Sequence, residues 1–193
     1  MDLLEFEKMR KKVKHHMDNE RYWHTLGVMY TAECLAMRYG ADMEKAKIAG
    51  LLHDCAKYLP TEKKLELCEE NGIAISEAEQ KNTGLLHAKL GAVLARKKYH
   101  ITDEEILHAI CVHTTGCPDM SLLDKILYIA DFIEPNRCEA PNLTEVRAEA
   151  FQDLDQCLRH ILEDSLAYLN TINAVIDPMT EQTYQYYQER RHQ

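Results

Sequence analysis

Apolar residues recur along this chain three and four positions apart, the spacing of helices that each bury one face. Leu3 and Leu4, Met9, Val13 and Met17 predict a first amphipathic helix. Val28, Ala32, Leu35 and Ala36 predict a second, following His24 and stopping near Gly40. Asp42 is placed to cap the stretch MEKAKIAGLLHDCAKYL, which Pro60 closes. Thr61 is placed to cap EKKLELCEEN, which Gly72 ends. SEAEQKNTGLLHAKLGAVLARKKY predicts one or two helices around Gly84. Thr102 with Glu105 reads as a capping box before ILHAICVHT, and Ser121 with Asp124 as another before KILYIADFI, which Pro135 terminates. Thr144 opens the longest candidate, through Val146, Ala150, Leu154, Leu158, Ile161, Leu162, Ser165, Leu166 and Leu169. No stretch alternates convincingly like a strand; NAVIDP, residues 173–178, comes nearest and is too short to found a sheet. The pattern predicts an all-α single domain over residues 1–193, with its core at about 18–182 and a polar tail at about 184–193 that frays.

Composition narrows the function classes. The net charge of −9 argues against wholesale binding to nucleic acid, which needs a basic face. It leaves room for a small anion held by a local group of cations. The seven cysteines form no C-x-x-C pair, which reads as reduced thiols in a reducing cytosol. The opening MDLLEFEKMRKKVKHHM lacks an apolar signal core, and no run approaches the roughly 20 apolar residues of a membrane span. A cytoplasmic protein with no membrane partner is the expectation.

Polar residues interrupt the apolar runs at five places: His24 in RYWHTLGV, His53-Asp54 in AGLLHDCAKYLP, His87 in LLHAKLGA, His113 in VHTTG and Asp131 in LYIADFIEP. A charge in such a setting is costly unless something compensates it. Each has a plain explanation alone. His24 or His87 reads as a hydrogen-bonded core or surface residue, Asp54 as a partner of Lys57 one turn on, and Asp131 as a partner of Arg137. Together they are better explained by one metal site, because imidazole and carboxylate suit iron, manganese, zinc and similar ions. His15, His16, His100, His108, His160 and His192 lie in charged or exposed settings and are assigned no role.

The order His24, His53-Asp54, Asp131 resembles the H…HD…D signature of the HD-domain metal-dependent phosphohydrolases. RYWHTLGV, AGLLHDCAKYLP, HAKLGA, HTTG and ADFIEPNR look like the bacterial YqeK-like symmetrical bis(5′-nucleosyl)-tetraphosphatases, roughly from Arg21 to Gln182. The resemblance implies an all-α HD fold that cleaves diadenosine tetraphosphate to two ADP. It implies a homodimer and an iron centre, Fe2+ or Fe3+, that Mn2+, Co2+ or another divalent metal can also serve. Carried over, the metal ligands are His24, His53, Asp54 and Asp131. Asp54, His87 and His113 are the catalytic candidates; either histidine suits proton delivery to the departing oxygen. Lys57, His87, His113, Thr114 and Arg137 belong on the phosphates or beside the metal water, with His24 and Asp131 also against the nucleotide. Thr114 reads equally well as a helix-end hydroxyl. Tyr58, Leu59 and Pro60 would line the pocket, and Asp177, Pro178, Met179, Thr180, Glu181 and Gln182 would sit by the nucleoside; Asp177 departs from the residue related sequences often show. Two rival readings remain: an HD hydrolase acting on another nucleotide, and a non-catalytic nucleotide-binding protein.

Overall fold

The computed structural model describes residues 2–190, and no strand occurs among them. Met1 and residues 191–193, which include His192 and the end of the expected tail, lie outside the described residues. The helices are α1 (Leu3–His15), α2 (Asn19–Tyr39), α3 (Met43–Leu52), α4 (Thr61–Glu70), α5 (Glu77–Lys81), α6 (His87–Tyr99), α7 (Glu104–Val112), α8 (Leu122–Ile133), α9 (Leu143–Glu149), α10 (Leu154–Thr171) and α11 (Pro178–Glu189). A 3₁₀ turn, Thr83–Leu86, precedes α6. None of these helices is long and apolar enough to cross a membrane.

The core is built around α2, α3 and α8. Val28, Ala32, Leu35 and Ala36 of α2 are fully buried, as are Ala46, Ala49, Leu51 and Leu52 of α3 and Ile126, Leu127, Ile129 and Ala130 of α8. Each fully buried Leu or Ile contributes about 1.5–3 kcal/mol relative to exposure. Gly50 sets how closely α3 lies on α2: a Cβ there would stand 2.7 Å from the Met29 Cα.

Short polar side chains start most helices, accepting from the first free backbone N–H groups. Asp18 does so for α2 and Asp42 for α3, and Ser121 with Asp124 makes the expected reciprocal box at α8. Ser76 and Glu79 make a second such box at α5.

Several boundaries differ from expectation. Asp103, not Thr102, caps α7. Pro60 stands at the start of α4 without a side-chain cap, and Thr61 is its first helical residue. The α3 pattern stops at Leu52 rather than Leu59, because the His53 ring takes the Gly50 carbonyl that a continuing helix would use. The helix expected from Thr144 breaks in two, and Asp153 caps the second piece. Side chains of α2 occupy carbonyls at the break: Tyr39 Oη donates to Ala150 and Arg38 Nε to Phe151. Asp177 caps α11 with Pro178 as its first residue, so NAVIDP leads into a helix. The tail does not fray from Tyr184: α11 continues to Glu189, and the buried Tyr187 hydroxyl accepts the Met120 N–H. In α1, Leu3 and Leu4 are exposed, and Phe6 joins Met9 and Val13 inside.

Candidate metal centre

The five interruptions of the apolar pattern converge. His24 comes from α2, His53 and Asp54 from the end of α3, Asp131 from the last turn of α8, His87 from the start of α6 and His113 from the end of α7. The ligand atoms of His24, His53 and Asp131 lie within 4.8 Å of one another, and so do those of His53, Asp54 and His113. His24 Nε2 stands 3.0 Å from Asp131 Oδ1 and 3.3 Å from His53 Nε2. Asp54 divides its two oxygens: Oδ2 faces His53 at 3.6 Å, and Oδ1 faces His87 at 3.1 Å and His113 at 3.9 Å.

The four imidazoles are held the same way round. A carbonyl oxygen only accepts, so Nδ1 of His53, His87 and His113 must donate to Gly50, Gly84 and Ile110, each three residues back, at 2.8, 2.6 and 2.7 Å. His24 Nδ1 faces the buried Glu134 carboxylate at 3.1 Å. Gly27 makes room for that carboxylate, since a Cβ there would collide with Glu134 Oε2. With Nδ1 committed, every neutral ring aims its Nε2 lone pair into the centre. Two such pairs confront each other, His24 with His53 at 3.3 Å and His87 with His113 at 3.1 Å. Facing lone pairs at that distance need an electrophile between them, a proton or a metal ion.

The electrostatics favour the same outcome. Burial pushes the His53, His87 and His113 pKa values down, that of His113 to about 4, so these rings stay neutral and able to ligate. Burial also lowers His24, but Asp131 and Glu134 outweigh it and the net shift is upward. For Asp54 and Asp131, burial favours the neutral acid, yet the surrounding histidines hold both carboxyls well below the usual range. Neutral imidazoles with ionised carboxylates fit a divalent first-row metal. His24, His53, Asp54 and Asp131 can supply four donors.

Cations surround this centre. Lys57 Nζ lies 3.3 Å from His87 Nε2 and 3.8 Å from Asp54 Oδ1. The Arg137 fork donates to the Asp131 carbonyl and reaches its carboxylate at 3.2 Å. Arg21 Nη1 donates to Asp54 Oδ2 at 2.9 Å. A cavity of about 1100 Å³ opens beside His24, lined by Arg21, Thr114, Arg137, Asp177 and Thr180 among others. Thr114 Oγ1 is buried and has no hydrogen-bond partner within the protein.

Other expected site residues lie apart from that cavity wall. Tyr58 stacks on His16, ring centroids 4.7 Å apart, and its hydroxyl accepts from Lys98. Leu59 packs toward Cys68, Leu86 and Leu90, and Pro60 heads α4. Pro178, Met179, Glu181 and Gln182 are exposed on α11, whereas Asp177 also accepts a hydrogen bond from Ser76. Sequence reasoning assigned no role to Arg21 or Glu134, although both stand inside quoted motifs, RYWH and ADFIEPNR.

The family model of the HD domain matches residues 21–136, a span that holds His24, His53, Asp54, His87, His113 and Asp131. The chain belongs to the HD domain family. Among HD proteins it is 41% identical over 172 residues to a symmetrical bis(5′-nucleosyl)-tetraphosphatase of Bacillus subtilis, covering 89% of this chain and 91% of that one. It is 42% identical to the protein so named from Halalkalibacterium halodurans, with 89% and 91% covered. The crystal structure of a predicted HD superfamily hydrolase involved in NAD metabolism from Clostridium acetobutylicum superimposes with a TM-score of 0.92 at 41% identity, over 96% of this chain and 98% of that one. The six-residue cluster just described lies within that matched span, at one end of α2, α3 and α8.

Proposed function

We propose that this protein hydrolyses diadenosine tetraphosphate symmetrically to two ADP, with a divalent metal held by His24, His53, Asp54 and Asp131. The observation that carries this reading is the convergence of four outward-anchored imidazoles and two ionised carboxylates beside an 1100 Å³ cavity edged with cations. It is supported by relatives of that name at about 41% identity over nearly the whole chain. Iron is the metal we propose, with manganese and cobalt as substitutes, because all four donors are nitrogen or oxygen. When bound, such an ion lowers the pKa of its water toward ~7 and polarises a phosphoryl oxygen.

The chain's own residues do the rest. Arg137 offers a fork and Lys57 a point charge to the phosphate oxygens. Arg21 is placed to leave Asp54 for a phosphate once a metal neutralises that carboxylate. Thr114 Oγ1, buried and unpartnered, donates to the polyphosphate, and the backbone of Thr115 and Gly116 lies beside it. His87 or His113, neutral in the resting protein, takes up at Nε2 the proton released by the attacking water and delivers it to the departing phosphate oxygen. Asp177 and Thr180, which line the cavity, face the nucleoside.

We also propose that residues 1–193 act as one unit, since α10 and α11 supply cavity walls to the HD centre. The working state is a cytoplasmic homodimer paired through the exposed face of α2. Trp23, Tyr30 and Met37, each about 60% exposed, form an apolar stripe there.

The test is a panel of nucleotides with separated products, run with each metal. ADP as sole product from diadenosine tetraphosphate is expected, and activity confined to a mononucleotide or cyclic nucleotide would reject the reading. Asp54→Ala is expected to abolish both metal binding and hydrolysis. Retention of both would leave only a non-catalytic nucleotide-binding protein.

A further inference from the structure

A third group of metal-ligating side chains lies outside the catalytic centre. His108 stands on α7, Cys117 on the loop after it, and Asp124 on the first turn of α8; their donor atoms lie within 4.8 Å of one another. We propose that these three residues bind a second kind of metal ion, a thiophilic divalent cation such as zinc, in a structural site independent of the catalytic reading.

The donors are positioned before any ion arrives. Asp124 is 1% exposed, and its Oδ2 is fixed by the Ser121 N–H at 2.8 Å. His108 Nδ1 already points at both its oxygens, at 3.0 Å each. The loop carrying Cys117 is pinned on either side. Gly116 takes φ +65° and its N–H closes onto Val112 O at 2.8 Å, while the Met120 N–H is held by Tyr187. Gly116 also packs so closely on α11 that a Cβ would meet Thr183 Cγ2 at 2.7 Å.

Charge and chemistry select the ion. One thiolate and one carboxylate neutralise a divalent cation, and the imidazole adds no charge, so a half-buried site stays neutral overall. Tetrahedral zinc accepts sulfur at about 2.3 Å with nitrogen and oxygen at about 2.0–2.2 Å. Reaching it requires the exposed His108 ring and the Cys117 side chain to close by roughly an ångström. On binding, the Cys117 thiol loses its proton to solvent. His108 keeps its proton by moving it to Nε2, which frees Nδ1 for the metal. The loop so fastened begins at His113 and Thr114, which makes the site a clamp on one wall of the catalytic centre.

Cobalt(II) titration of the chelator-stripped protein tests this, because the catalytic donors are nitrogen and oxygen only. A sulfur-to-cobalt charge-transfer band is expected, reaching its full height by two equivalents of cobalt per chain, one for each site. Cys117→Ser should abolish the band and remove one bound cobalt per chain while keeping the catalytic one. His108→Ala should weaken the band's affinity at least tenfold, and Asp54→Ala should leave it in place. Absence of the band in the unaltered protein, or a band unchanged in Cys117→Ser, would overturn the proposal.

Discussion

At the scale of single residues, the centre depends on groups that touch no substrate. Glu134 orients His24 through Nδ1 and also accepts the Asn136 N–H at 2.8 Å. A carboxylate behind a ligating imidazole raises its basicity, and losing such a partner typically costs 10–100-fold in metal affinity. Glu134→Gln keeps the shape and removes the charge, so a weakening of about that size is expected in a metal titration. The buried histidines make a second, opposite statement about the metal-free protein. Their folded pKa values lie below the unfolded value of 6.5, with His113 at about 4. Their stabilising effect is therefore complete above pH 6.5 and is lost as pH falls toward 4, when the unfolded chain takes up protons the folded one refuses. His113 alone accounts for on the order of 3 kcal/mol. Denaturant midpoints of chelator-stripped protein should fall across that window, and a flat profile from pH 7 to 4 would contradict the arrangement. The six side chains that meet at this centre were legible in the sequence because each interrupts or ends an apolar run conspicuously. Glu134 was not, because an acid just past a helix end looks like any solvated residue.

At the scale of elements, periodicity located most helices, and errors fell where side chains compete for backbone groups. Nothing in GLLHDCAKYL announces that His53 takes the Gly50 carbonyl and stops α3. The split between α9 and α10 was hidden for the same reason: the groups that satisfy Ala150 and Phe151 come from α2, over a hundred residues earlier. Glycine positions carry similar long-range information. Gly50 allows α3 to lie against the Met29 backbone, and α3 carries His53 and Asp54 at its end. Gly50→Val would push α3 off α2, costing about 1–3 kcal/mol of overpacking and misplacing two ligands. Reduced metal content exceeding the fall in thermal stability is the expected result; normal metal affinity would show that α3 tolerates the displacement.

At the scale of the whole molecule, α2 serves both the inside and the outside. Its inner face makes the core, and its outer face leaves Trp23, Tyr30, Cys34 and Met37 exposed in a row. Their exposed apolar area is on the order of 400 Å², comparable to the largest patch on a typical monomer. That is about half of what each partner buries in a standard interface, so neighbours such as Phe151 must contribute. The ends of the stripe favour a second copy over an unrelated partner. Glu20 and Arg38 are eighteen residues apart, which is five helical turns, so both lie on the same flank. With a two-fold axis crossing the stripe near Tyr30, the two α2 helices would run antiparallel and Glu20 of each would stand beside Arg38 of the other. Sedimentation should find a dimer that Tyr30→Glu dissociates. Glu20→Arg should weaken it, and adding Arg38→Glu should restore it, because the swap reinstates opposite charges at both ends. A monomer in the unaltered protein, or a dimer indifferent to Tyr30→Glu, would remove α2 as the contact, and a double variant no tighter than Glu20→Arg alone would exclude the antiparallel register.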